Sequence, residues 1–336
     1  MPYAKPFREI EELIEEIQTL GMSVPDVDRA ARFFRRIGYY RSGAYRYVFR
    51  ELLPEDERDA RSRTFRKDDY LPGSSIVDVM KLEEFDSRIR GTCLIGLSDF
   101  EVRVRAAIAH VLARRHVFAH TMIQHLDPIE VHAVTAAKGK TKFDEWTATY
   151  KAAIASSSQE DFVAHLLVKY GHPLPIWAVV DVLSFGNLPY LYDILQRDDR
   201  IEVAKLFGVA QERKFAAWLR SMVDFRNYSA HGSRLFNRHF KRDIGIVAGA
   251  IDLRLLAHVL GTTFSCSERP HSRLYINAAL LAYMLRKHGS GSRWHLNFKT
   301  TIRKLPALQG SNTPVVDLER SMGFPPNWDA LDLWQE

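Results

Sequence analysis

The stretch Phe225-Arg226-Asn227-Tyr228-Ser229-Ala230-His231-Gly232 holds residue types suited to phosphate chemistry. An arginine can grip an oxyanion through two parallel hydrogen bonds. An imidazole ordinarily titrates near neutral pH, so it can take or give a proton there. Placement adds to this. Phe215, Trp218, Leu219 and Met222 recur at helical spacing and predict the buried stripe of a helix over about 213–230. The next position on that stripe is Arg226. A guanidinium turned toward a core is costly unless it is paired or lines a cleft. Asn227 and His231 are four apart and share a helix face. Arg226 and His231 lie about 140° apart around a regular helix, so they converge on one phosphate only if the helix ends or bends there. Gly232 is the residue type that permits such an ending. Two readings stand. In one, Arg226 and His231 are catalytic and Asn227 orients the imidazole or bonds the phosphate. In the other, Arg226 pairs with Asp181 or Asp224 and His231 is a capping residue.

The Arg-x4-His spacing recurs at Arg105/His110, Arg115/His120 and Arg234/His239. The first two lie in Ala- and Val-rich helical sequence with no breaker, where the partners point apart. The third belongs to a basic run with Arg238, Lys241 and Arg242, read as phosphate contacts or a solvated face. A second basic stretch interleaves Arg32, Arg35, Arg36, Arg41, Arg46 and Arg50 with Phe33, Phe34, Tyr39, Tyr40, Tyr45, Tyr47 and Phe49. Arginines on phosphates and aromatics on unstacked bases are how single-stranded or looped RNA is held. Phe33, Phe34 and several tyrosines fall at core spacing. The arginines and Tyr40 are the candidate RNA contacts. His116/His120 has metal-like spacing but no carboxylate pattern beside it, so no metal or cofactor is expected.

The elements that must position these residues are helical. Ile10, Leu13, Ile14 and Ile17 form a stripe closed by Gly21, and a second helix follows Pro25-Asp26 to Ile37. The charged stretch 53–75 reads as a loop or mobile insert. Ser98-Asp-Phe-Glu101 and Ser157-Ser-Gln-Glu160 read as capping boxes that open helices running to about 115 and over 162–170. Two more helices fit 244–260 and 273–286, and Trp328, Leu331 and Trp334 suggest a tail docked on the core. No strand ladder or repeat is found. The fold class is all-α, divided into a basic helical region with its charged loop (1–75), a helical core (76–265) and C-terminal helices and tail (266–336).

Composition bounds the rest. The chain has 336 residues, 46% hydrophobic, which excludes general disorder. Two cysteines, Cys93 and Cys266, make neither a disulfide framework nor a four-cysteine zinc site. The longest apolar runs fall short of the roughly 18 residues that span a bilayer, and no secretory leader is visible, so a soluble cytoplasmic protein without a membrane partner is expected. Lys plus Arg exceed Asp plus Glu by 6, and the segment Arg29 to Lys67 alone holds 12 basic against 5 acidic residues. That concentration points to an anionic polymer as partner.

Arg226-Asn227-x-x-x-His231 resembles the signature of HEPN ribonucleases, and its surroundings resemble the Abi-like (AbiD/AbiF) abortive-infection family. The matching stretches are IGYYRSGAYRYVFR (37–50), MKLEEFDSRIRGTCL (80–94), LSDFEVRVRAAIAHVL (97–112), LPIWAVVDVLSFGNLPYLY (174–192) and WLRSMVDFRNYSAHGSRLFNRHF (218–240). The likeness is ordered and covers roughly residues 6–287. It departs from the family at Gly232, where a second His often follows the motif His, and at Asp181, where Glu is frequent. The resemblance implies a HEPN-like helical bundle and a metal-independent endoribonuclease toxin of a phage-defence, toxin–antitoxin system. It implies a small structured non-coding RNA as restraint, an RNA substrate, and a homodimer that pairs two motifs in one cleft. The chemistry fits the residues: RNA carries its own 2′-hydroxyl nucleophile, His231 can transfer protons, and Arg226 can stabilise the phosphorane. The alternative is a non-catalytic RNA-binding module in which the same residues hold a structured RNA within a ribonucleoprotein.

Overall fold

Short amphipathic helices open the chain. α1 (Ile10–Thr19) buries Leu13, Ile14 and Ile17. α2 (Val27–Ile37) starts at Asp26, whose side chain accepts from the Arg29 amide at 2.8 Å, and stops at Gly38 with φ +86°. α3 (Tyr39–Arg46) follows at once. The computed structural model describes residues 6–59, 65–134, 139–261, 264–265, 267, 269–289, 291–308 and 317–336. Cys266 and the middle of the charged 53–75 stretch lie outside them.

The reading of 53–75 as loop, and of a chain without strand pairing, needs correction. β1 (Arg50–Leu52) and β2 (Arg66–Tyr70) pair antiparallel, with Arg50 opposite Tyr70. β2 is too charged to show alternation. Backbone bonds hold this corner instead: the Tyr70 amide donates to the Leu20 carbonyl and the Leu71 amide to the Phe49 carbonyl, both at 2.8 Å.

α4 (Ile76–Arg115) is the axis of the molecule, 40 residues long, about 60 Å at 1.5 Å per residue. Ser75 caps it, accepting from the Val77 amide. The expected helix start at Ser98 is overturned, because Cys93, Leu97 and Phe100 continue one buried stripe straight through it. Gly96 does not break the helix either. A Cβ there would stand 2.5 Å from the Trp294 ring, so the missing side chain seats that indole. Only tertiary packing distinguishes this from a cap.

After α4 come α5 (Lys142–Ser156), α6 (Asp161–Tyr170), α7 (Ile176–Val182), α8 (Leu188–Ile194), α9 (Arg197–Leu206) and α10 (Glu212–Ala230). The capping box at this junction is Thr141 with Asp144, which opens α5. Ser157 instead ends α5, and Glu160 precedes α6 without a side-chain cap. The expected helix over 244–260 is a string of turns with one short helix, α11 (Leu253–Leu256). Gly245 and Gly249 weaken a continuous helix there, and Asp252 caps a new turn by accepting from the Arg254 amide.

α12 (Leu274–Lys287) is apolar on every side and accordingly central, with residues 274–285 buried. α13 (Trp294–Ile302) and α14 (Leu318–Met322) lead to the C-terminal tail. Trp328 and Trp334 dock against Tyr275 and Phe298, and the Trp334 Nε1 donates to the Tyr275 hydroxyl at 3.2 Å. Fourteen α-helices and one two-stranded sheet among the described residues make the fold all-α. One apolar core runs from Ile14 to Trp334 through all three expected regions. No helix among the described residues is long and apolar enough to cross a membrane.

Candidate active site

α10 forms as its stripe predicts. Phe215, Trp218, Leu219, Met222 and Phe225 are buried, largely against α4. The helix ends at His231, which occupies the C-cap. Gly232 follows at φ +64°, and the Ser233 amide reaches back to the Tyr228 carbonyl at 2.9 Å. That bond is the six-to-one link of a Schellman ending, which demands a left-handed residue where Gly232 stands.

Arg226, next on the stripe, is 31% exposed and turns toward α4, where its Nε lies 3.8 Å from Glu101 Oε2. Its Nη1 donates to Asn227 Oδ1 at 3.3 Å. Neither carboxylate expected to neutralise it pairs with it among the described residues. Asp224 takes Arg242 at 2.9 Å, and Asp181 offers its backbone carbonyl to Arg105 at 2.7 Å. Glu101 is the residue the sequence reading missed. The capping box that its spacing from Ser98 predicts does not form, and its side chain, 12% exposed, also binds Arg105. Arg105 is held further by the Leu183 carbonyl at 2.9 Å. A chain of polar contacts thus runs from the backbone carbonyls at the end of α7 through Arg105 and Glu101 to Arg226.

His231 is exposed. Its amide donates to the Asn227 carbonyl at 3.0 Å, and neither ring nitrogen has a partner among the described residues. Two of the other three Arg-x4-His pairs differ, while at Arg105/His110 the imidazole is exposed as His231 is. Arg115 is clamped by Asp199, His120 is fully buried, and His239 bonds the Ser272 hydroxyl at 2.8 Å.

The turn after His231 is pinned from two sides. Arg41 donates to the Gly232 carbonyl. Arg234 donates to the Ala44 carbonyl at 2.8 Å, and its burial draws its pKa below the ordinary arginine value. From α4, the fully buried Asp86 Oδ1 accepts from the Leu235 and Phe236 amides at 3.0 and 2.6 Å. Asp86 Oδ2 takes the Tyr45 hydroxyl at 2.7 Å and Arg90. Burial, with Asp86 beside it, pushes the Tyr45 hydroxyl well above its ordinary range. Only the i,i+4 pairing with Arg90 is local to Asp86, because its other partners lie some 40 and 150 positions away.

The structure therefore brings α3 of the basic N-terminal stretch beside the motif turn. Tyr40 is 71% exposed next to Arg41. Arg32 and Arg36 line a surface hollow with Arg29, Glu83 and Glu84, and Arg36 pairs with Glu83 at 2.7 Å. Arg35 pairs with Glu11 and Arg50 with Asp68. Lys241 is exposed, and Arg238 lies over the Tyr228 ring at 4.3 Å. Arg46 needs correction as an RNA contact. It is 4% exposed, its donors go to Ser42, Tyr39 and Tyr70, and its guanidinium stacks 4.1 Å over Tyr39. It is a strut of the α3 corner.

No curated protein and no solved structure matches the chain. A sequence model of one family, described as Abi-like protein, matches residues 32–237. That span runs from the arginines of α2, through all of α4, to the turn beyond His231. It covers more than half the chain, and we therefore place this protein in the Abi-like family.

Proposed function

We propose that this Abi-like protein is a metal-independent endoribonuclease toxin of HEPN type. It serves in abortive-infection, toxin–antitoxin defence against phage, and a small structured non-coding RNA restrains it. The observation that carries the reading is the asymmetry of the motif. His231 stands bare at a helix terminus, while Arg226, about one turn away, has a carboxylate close enough to fix its direction but too far to saturate its donors.

The reaction is a transphosphorylation. The 2′-oxygen attacks phosphorus and the bond to the 5′-oxygen breaks, leaving a 2′,3′-cyclic phosphate and a 5′-hydroxyl. One imidazole takes the 2′ proton and a second group protonates the leaving oxygen. Arg226 meets the charge that builds on the phosphorane oxygens, and Asn227 orients Arg226 through its side-chain oxygen. One chain offers one such imidazole, so the complete site is a homodimer with two His231 side chains flanking one phosphate. Arg32, Arg35, Arg36, Tyr40, Arg41, Arg50, Arg234, Arg238, Lys241 and Arg242 form the proposed RNA-contacting set. The family description supports a defence role, and the exposed basic and aromatic face around α3 supports RNA as ligand.

His231→Ala tests the reading. The wild type is expected to arrest growth and degrade RNA, and the variant to do neither while still binding RNA. Binding by both proteins with cleavage by neither would leave a non-catalytic RNA-binding module.

A further inference from the structure

Beside the motif turn, one arginine is held differently from its neighbours. The guanidinium carbon of Arg238 lies over the Tyr228 ring, 4.3 Å from its centre. Its Nε donates to the Arg234 carbonyl at 2.7 Å. The ring beneath is fixed in turn, because the buried Phe240 meets Tyr228 edge-on at 5.4 Å. Tyr228 stands inside the motif, three residues before His231 and so on the adjoining helix surface. Arg238 is partly exposed. With Nε committed, its Nη1 and Nη2 are left as a fork that has no hydrogen-bond partner among the described residues and is not shut off from solvent. The neighbouring arginines are engaged: Arg41 with the Gly232 carbonyl, Arg234 with the Ala44 carbonyl and Arg242 with Asp224.

A phosphate asks only for positive charge within reach and carries no sequence information. Reading a base asks for donors aimed in one direction and held there by their surroundings. An arginine fork suits guanine, whose O6 and N7 are neighbouring acceptors, whereas adenine sets a donor amine beside N7. In single-stranded RNA that edge is open to a side chain. We infer that Arg238 reads guanine, its Nη1 and Nη2 donating to O6 and N7 of an unpaired guanine in the RNA that crosses the motif turn. The inference rests on the RNA reading above and adds base specificity to it.

Labelled 2′-O-methyl oligouridines of about ten nucleotides test this by fluorescence anisotropy with the protein. They lack the free 2′-hydroxyl and so are not cut during the titration. Their central base is guanine, hypoxanthine, 7-deazaguanine, adenine or cytosine. The guanine oligonucleotide is expected to bind about tenfold tighter than those with adenine or cytosine. Hypoxanthine keeps O6 and N7 and should match guanine, whereas 7-deazaguanine lacks N7 and should lose most of the preference. Arg238→Gln should erase the preference while Tm holds, and if that variant unfolds, 7-deazaguanine decides the matter on the wild type. The inference is overturned if all central bases bind alike, which would make Arg238 a phosphate contact. It is overturned equally if 7-deazaguanine binds as guanine does, or if the preference survives in folded Arg238→Gln. Equal binding leaves the nuclease reading intact, whereas failure of every oligonucleotide to bind removes the RNA reading and this inference with it.

Discussion

Arg226 and Glu101 are 3.8 Å apart, a charge pairing without a good hydrogen bond, because Glu101 is already committed to Arg105. The guanidinium is aimed but not exhausted, as a group awaiting a phosphate should be. Arg226→Lys keeps the charge and loses the fork, so cleavage should fall by about 10²-fold or more with Tm little changed. Glu101→Gln leaves two largely buried arginines without their shared counter-charge. It should lower unfolding free energy by about 3 kcal/mol, measured in urea, and reduce cleavage as well. His120 makes a separate prediction. Its folded pKa, about 4, lies below the ordinary histidine value, so the unfolded chain binds the extra proton first. Stability is then full above pH 6.5 and declines as pH falls toward 4, on the order of 3 kcal/mol from this group. His120→Phe should flatten that acid-side decline relative to wild type in urea titrations at each pH. An unchanged slope would show that the imidazole is not held neutral.

The elements place these groups by two devices of different legibility. The end of α10 is local: the apolar stripe, His231 and Gly232 lie within one run of sequence, and the helix forms as that run predicts. Gly232→Ala should cost about 1 kcal/mol, since alanine resists φ +64°. The grip on the following turn is non-local. Asp86 joins α4 to Leu235, Phe236 and Tyr45, and its sequence neighbours, Phe85 and Ser87, mark nothing of this. Asp86→Ala strands two buried amides, a hydroxyl and Arg90, and should destabilise by about 3–5 kcal/mol in the same urea assay. The same limit explains the false helix start at Ser98. Its capping pattern is satisfied on paper, but the buried faces on either side of it hold α4 in one piece. A short-range motif loses there to packing, whereas along 244–260 Gly245, Gly249 and the Asp252 cap interrupt the helix locally. The buried strut Arg46 was illegible for a related reason, since an arginine's sequence does not say whether Tyr39 and Tyr70 will fold over it.

At the scale of the whole molecule, the N-terminal basic stretch is no appendage. α3 packs against α4 and bonds the motif turn through Arg41 and the Ala44 carbonyl, so the proposed RNA face adjoins the proposed catalytic groups. RNA held there through phosphates should bind with a log-log salt slope that falls by about 1 for each arginine removed among Arg32, Arg41 and Arg50. His231→Ala should leave that slope unchanged. Sedimentation of the wild type should show the homodimer that the paired-imidazole site needs. The most direct measurement is the chemistry of the ends left on RNA cut by the protein in EDTA. The proposed reaction predicts 2′,3′-cyclic phosphate and 5′-hydroxyl ends from the wild type and no cut from His231→Ala. Ends bearing a 3′-hydroxyl, or equal cutting by the variant, would contradict it.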